Sequence, residues 1–278
     1  MKKHIVFKLW LLLLLAVLLA ACGGSETDST DTENGNTPVA SGGSTDTGST
    51  SEGPVVARVG WAGSPDTLNP GTAVLTEAYT IFELVYDSMY QLELDGTYSL
   101  ELADSVDVSE DGLVYTFHIR DGITFHDGEA LTAEDVAFSY NLYASQEDFP
   151  FLPVYTEFFD TVVADDSNNV LITLTDAIPN IQSQLIYLYV LPEHIWGALE
   201  GTAVPEFENE AVIGSGPFKM VEYAQNEFVR LEGVKDHYLQ GPIIDEVVFQ
   251  TFENQDALVQ ALHGGSLPFT LLPQESKQ

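Results

Sequence analysis

Residues 108–128 read V-S-E-D-G-L-V-Y-T-F-H-I-R-D-G-I-T-F-H-D-G, and this stretch decides the fold class. Leu113, Tyr115, Phe117 and Ile119 fall on one side of an extended chain, with Val114, Thr116, His118 and Arg120 on the other. A period of two marks a strand with one buried face. Asp121-Gly122 predicts a tight hairpin turn, since glycine accepts positive φ, and residues 123–126 read as the returning strand, closed by Asp127-Gly128. Thr132 and Asp135 then stand at capping-box spacing and open a helix through Val136, Ala137, Tyr140 and Tyr143.

Outward from this segment the same alternation recurs. A second hairpin is predicted around residues 165–169, joining strands at 161–164 and 170–174. Gly214-Ser215-Gly216-Pro217 precedes a strand at 218–223, followed by strands at 228–232 and 247–252. Asn254 is read as the cap of a short helix with Leu258, Ala261 and Leu262 on one side, ended by Gly264. Upstream, Val55, Ala57, Val59 and Trp61 alternate with Val56, Arg58 and Gly60 as a first strand. Ser64-Pro65-Asp66 and Asn69-Pro70-Gly71 break it into a loop. Thr76 is read as the cap of a helix carrying Ala78, Ile81, Phe82, Val85 and Met89 on one face, and Leu92 and Leu94 lead to a turn at Asp95-Gly96. The pattern predicts a mixed α/β fold with largely antiparallel sheets and no internal repeat.

The first residues carry Lys2, Lys3 and Lys8, and residues 9–21 are wholly apolar. A cationic start, a short apolar run and small residues describe a secretory signal peptide. Those 13 residues fall short of a membrane span, which takes about 20. Leu19-Ala20-Ala21-Cys22-Gly23 resembles the bacterial lipobox, in which the cysteine becomes the lipidated first residue; Cys22 is the only cysteine, so it serves no disulfide within the chain. Residues 23–53 hold no aromatic and no basic residue and are rich in Gly, Ser, Thr, Asp and Glu. Such a stretch cannot bury enough apolar surface to offset chain entropy and is expected to be a disordered tether, with a reach of about 30 Å. The expected organisation is therefore a signal peptide over 1–21, a lipidated cysteine and linker over 22–53, and a globular body over 54–278.

The formal net charge is −34, and three of the nine Lys and Arg residues precede Cys22, so six face 43 acidic residues beyond it. That balance argues against nucleic acid and against anionic lipid headgroups as partners. His118, His126 with Asp127, and His194 are the candidates for acid–base or metal chemistry, but their spacing suits turns and helix starts better. No nucleophile elbow, phosphate loop or Cys/His cluster occurs in the sequence. No enzyme, cofactor or metal is expected.

The order of motifs resembles family 5 extracellular solute-binding proteins, the oligopeptide-, dipeptide- and nickel-binding receptors of ABC importers. The resemblance rests on Leu102-Ala103-Asp104-Ser105, the whole of 108–128, Leu131-Thr132-Ala133-Glu134-Asp135-Val136, Leu68-Asn69-Pro70, Leu191-Pro192-Glu193-His194-Ile195-Trp196, Gly214-Ser215-Gly216-Pro217-Phe218, Tyr238, Gly241-Pro242 and Ile244-Asp245-Glu246-Val247. Val106 stands where the family usually has tryptophan. The resemblance implies the N-terminal lobe of a two-lobe periplasmic-binding-protein-like fold (type II, cluster C). The family pattern is followed to Leu262, whereas Gly264-Gly265-Ser266-Leu267-Pro268-Phe269 reads as an unrelated tail, so the second lobe is expected to be missing and ligand binding impaired.

By the same resemblance, two lobes close on a peptide held in extended form and hand it to a permease; the signal segment and lipobox imply a protein exported and lipid-anchored to the outer face of the cytoplasmic membrane. Ala73, Val74, Leu75 and Thr76, after Leu68-Asn69-Pro70, match a segment that faces the ligand, and Trp61 and Tyr86 are candidates for the same cleft. The acidic residue that meets a peptide's amino end comes from the other lobe. The other readings are a receptor for nickel or another small solute and a tethered surface lipoprotein that contacts proteins.

Overall fold

A computed structural model describes residues 53–165, 167–199, 203–267 and 269–270. The expected signal peptide, Cys22 and nearly all of the linker lie outside the described residues. The chain runs β1 (Val56–Trp61), α1 (Thr76–Val85), β2 (Tyr90–Leu92), β3 (Tyr98–Leu100), β4 (Ala103–Val108), β5 (Val114–Ile119) and α2 (Ala133–Ser145). A 3-10 turn (Leu152–Tyr155) leads to β6 (Phe159–Ala164) and β7 (Asn169–Leu174). Three single-turn helices follow, α3 (Gln182–Leu185), α4 (Glu193–Trp196) and α5 (Ala203–Glu206). The chain continues through β8 (Phe218–Ala224), β9 (Phe228–Gly233), β10 (Glu246–Thr251), α6 (Gln255–His263) and β11 (Phe269–Thr270).

The strands form sheets ordered β11-β1-β10-β9-β8, β2-β3 and β4-β5-β7-β6. Pairing is antiparallel except at β1, which runs parallel to both β10 and β11. The mixed α/β architecture is as expected. Phe117 and Ile119 of β5 are fully buried, as are Val136, Tyr140 and Tyr143 of α2, so the alternating strand and the helix stripe meet in one core. The Asp135 carboxylate accepts from Thr132 N at 2.9 Å and from the Thr132 hydroxyl at 3.1 Å, which fixes the start of α2. Asn168, at φ 59, makes the β6–β7 turn. Its side chain accepts from Ala133 N and donates to Ile119 O, tying α2 and β5 to that turn.

Several expectations are corrected. Residues 123–126 do not return along β5, because β4 and β7 already occupy both of its edges. Only Thr124 bridges, to Ala130. His118 and His126 therefore do not share a hairpin: His118 Nδ1 pairs with Asn169 Oδ1 and His126 Nε2 with Gly216 O. Thr76 is the first helical residue of α1 rather than its cap; Leu75 holds that position with no side-chain cap, and Met89 lies beyond the helix while remaining buried. Residues 264–267 and 269–270 continue the fold beyond α6. Gly265 takes φ 73 after α6, Leu267 is buried, and β11 pairs with β1 at Val59 and Gly60.

Candidate ligand-facing surface

The loop between β1 and α1 is held by a buried asparagine. Asn69 Nδ2 donates to Val204 O at 2.9 Å and Phe207 O at 3.0 Å, and its Oδ1 accepts from Gly71 N at 2.8 Å. Asn209 donates to Leu68 O at 2.7 Å and to the Tyr86 hydroxyl at 2.9 Å, so the far side of the loop is clipped as well. Thr72 N and Ala73 N both donate to Asn69 O, which curls the chain toward α1. Asp66 then receives the next two amides, Val74 N at 2.9 Å and Leu75 N at 3.2 Å, while the Tyr79 hydroxyl donates to Ala73 O.

With its backbone secured in this way, the loop turns apolar side chains outward. Val74 is 51 % and Leu75 43 % exposed, and Thr76 is exposed beside them. Tyr79 links them to a second apolar feature. Burial, then the neighbouring Tyr155 and Asp66, push the Tyr79 phenol up to about 12. Tyr155 stacks on Tyr187 with ring centroids 4.9 Å apart, and Phe151, Val154 and Tyr187 are exposed around that pair. Asp66 also borders a groove of about 770 Å³ whose walls include Leu68, Glu208, Glu210, Met220 and Tyr223.

The predicted residues divide. Val74, Leu75 and Thr76 come together at the surface. Ala73, Trp61 and Tyr86 lie in the core: Trp61 stacks on Phe249 at 4.7 Å and donates its indole N–H to Thr251, and Tyr86 supports Asn209. Sequence reasoning missed Phe151, Val154, Tyr155 and Tyr187. The available signal was Phe149-Pro150-Phe151-Leu152-Pro153-Val154-Tyr155, an apolar run whose two prolines keep it from pairing as a central strand.

The histidines serve structure. His194 Nε2 lies 2.8 Å from Asp127 Oδ2 on the surface. Partial burial opposes ionisation of Asp127, but hydrogen bonds from His194 and Glu129 N outweigh it and hold the carboxyl below its usual range. Burial lowers His126 despite its bond to Gly216 O. Among the described residues no group of three or more His, Cys, Asp or Glu side chains is arranged to hold a metal, and no helix is long and apolar enough to cross a membrane.

The Gly214-Ser215-Gly216-Pro217 motif has a physical reason: a Cβ on Gly216 would lie 2.7 Å from Val85 C, and Gly216 N donates to Val85 O at the end of α1. Residues 97–278, more than half of the chain, match the bacterial extracellular solute-binding proteins, family 5 (middle). The chain belongs to this family. As a family 5 protein it is 27 % identical over 275 residues to the oligopeptide-binding protein AppA of Bacillus subtilis, covering 98 % of this chain and 48 % of AppA. It is 28 % identical over 236 residues to di/tripeptide-binding protein 1 of Pseudomonas aeruginosa, covering 76 % of this chain and 44 % of that protein.

The solved structure of AppA with a nonapeptide superposes at a TM-score of 0.72, covering 80 % of this chain and 45 % of AppA. The substrate-binding protein CtaP of Listeria monocytogenes gives 0.69 at 33 % identity, covering 78 % and 44 %. The family 5 chain thus spans about half the length of the curated relatives it matches. These relatives are named as binding proteins, in line with the reading against an enzyme. The family match runs to residue 278, which further corrects the expectation of an unrelated tail after Leu262.

Proposed function

We propose that this family 5 protein captures peptides for an ABC importer, contributing the lobe on which the ligand first lands. The observation that carries the reading is the set of exposed apolar side chains Val74, Leu75, Val154 and Tyr187, with Tyr187 stacked on half-buried Tyr155, set beside a loop whose backbone is clipped by Asn69 and Asp66. Flat aromatic and aliphatic surface receives side chains of many shapes. An extended peptide binds through its main chain, so affinity is largely independent of sequence, and water completes the polar contacts. Val74, Leu75 and Thr76 face the ligand, while Trp61, Ala73 and Tyr86 hold the surface from beneath. Two-lobe closure and delivery to a permease complete the cycle. The resemblance of AppA, solved with a nonapeptide, supports peptides over nickel or another small solute.

The same proposal makes 1–21 a signal peptide, Cys22 the lipid attachment point, 22–53 a tether and 54–278 the N-terminal part of the solute-binding domain, on a protein exported to the outer face of the cytoplasmic membrane. More than one acyl chain makes such an anchor stable. One preparation tests both parts. The full chain is expressed in a bacterium, recovered from membranes, and irradiated with nonapeptides carrying a photo-reactive side chain. Mass spectrometry is expected to find an acylated Cys22 and cross-links on residues 74–76, 151–155 and 187. Unmodified Cys22 sinks the anchor, and cross-links spread evenly over the surface sink the ligand face.

A further inference from the structure

Away from the proposed ligand face, the chain enters its folded body beside an apolar loop. Val55 N donates to Asp245 Oδ2 at 2.6 Å, and Val55 O accepts from Asp245 N at 2.9 Å and from Glu246 N at 3.2 Å. The start of β1 is thereby pinned to the segment just before β10. Lys235 clamps the rest of that segment: its Nζ lies 2.8 Å from Asp245 Oδ1 and donates to the carbonyls of Pro242, Ile243 and Ile244 at 2.9, 3.2 and 3.2 Å. Gly241 packs so closely on Lys235 that a Cβ would lie 2.1 Å from the lysine carbonyl oxygen. Of the Ile243-Ile244 pair, Ile244 packs against the core while Ile243 is left 84 % exposed. Leu239 on the same loop is exposed, as are Val55 and Val56 on the strand tied to it. Single exposed apolar side chains are ordinary. Four of them on one clamped loop and its attached strand make a patch.

Charge also sets this end of the sheet apart. Six Lys and Arg residues follow Cys22, and three of them stand here as partners of acids. Lys235 pairs with Asp245, Lys219 with Glu232 at 3.4 Å, and Arg230 with Glu222 at 3.0 Å and Glu246 at 3.4 Å. Acids so paired add little to the negative field of the chain. Asp236 and Gln240 are exposed on the same loop and keep any contact shallow. The partner follows from what precedes this point in the chain. Residues 23–53 separate the proposed lipid attachment at Cys22 from the body, and a flexible linker of that length reaches about 30 Å. A tether supplies high local concentration, so contacts too weak to hold from solution become populated. We propose that Leu239 and Ile243, with Val55 and Val56, form a lipid-contacting foot that rests at the headgroup boundary of a zwitterionic bilayer and sets which end of the body meets the membrane. This inference rests on the anchor reading at Cys22. Burial of apolar side chains in the boundary favours the contact, and the clamped loop has little conformational freedom to lose in making it.

The foot is tested with the full chain recovered from bacterial membranes and placed in phosphatidylcholine vesicles whose acyl chains carry bromine, a short-range quencher of tryptophan. Ile243→Trp puts a probe on the foot and Leu94→Trp one on the β2–β3 turn, where Leu94 is fully exposed; Trp61 and Trp196 are buried and common to both variants. A greater loss of fluorescence from Ile243→Trp than from Leu94→Trp is expected, and equal loss overturns the proposal. Because tryptophan itself seeks lipid, hydrogen exchange on the vesicle-bound unsubstituted chain gives a second reading. Amides of 239–244 are expected to exchange more slowly there than in Ile243→Asp, and equal rates overturn the proposal. Protection that grows with the number of chains per vesicle, without bromine quenching, shows a second copy on the loop and overturns it too. Failure of the anchor reads differently, as chains that do not float with the vesicles and carry an unmodified Cys22. Joining that thiol to a maleimide-bearing lipid then restores the tether, and the same comparisons decide.

Discussion

Asn69 reads in sequence as a turn former, the middle of Leu-Asn-Pro, yet its side chain is what seats the loop between β1 and α1. It bonds carbonyls 135 and 138 residues away, a relation no local pattern discloses. Replacing Asn69 by Ala leaves Phe207 O and Gly71 N without their partners, and Val204 O with Phe207 N alone. Buried groups stranded in this way cost about 1–3 kcal/mol each, so Asn69→Ala is expected to lose about 3 kcal/mol in urea unfolding. A loss below about 0.5 kcal/mol contradicts the clip. The placement of Val74, Leu75 and Thr76 was legible only through the family resemblance, which put forward Ala73 alongside them although it lies in the core. The interior placement of Trp61 and Tyr86 was not, because each is covered by residues far along the chain, Phe249 and Asn209.

Among elements, legibility follows locality. The Thr132–Asp135 box, the α2 stripe and the β6–β7 hairpin each rest on residues a few positions apart, and all three form where the pattern put them. The partners of β5 rest on competition for its edges. Asp121-Gly122 does turn the chain, with Gly122 at φ 79, but β7 occupies the free edge. The Gly216 loop shows how closely elements approach: its backbone sits against Val85 at the end of α1, where any Cβ meets main chain rather than a movable side chain. Gly216→Ala is therefore expected to cost about 2 kcal/mol or more from overpacking. Gly96→Ala, at φ 83 with open space around it, is expected to cost about 1 kcal/mol from strain alone. Equal losses in thermal unfolding refute a packing role for the Gly-Ser-Gly turn.

At the scale of the molecule, the proposed landing of ligand on exposed apolar side chains requires an opposing surface to exclude water. The chain alone is accordingly expected to bind a peptide mixture more weakly than micromolar in titration calorimetry, and micromolar affinity refutes that expectation. The five-stranded sheet carries a different lesson. Its inner strand β1 pairs across 190 residues with β10, Val56 lying opposite Glu246, so the first strand to be made has to wait for one of the last. At about 5–20 residues per second of synthesis, that wait is about 10–40 seconds. Throughout it Val59 and Trp61 have nothing to pair with. Pairing over so long a span is intrinsically slow, so the two parallel seams of β1 are expected to close late in folding.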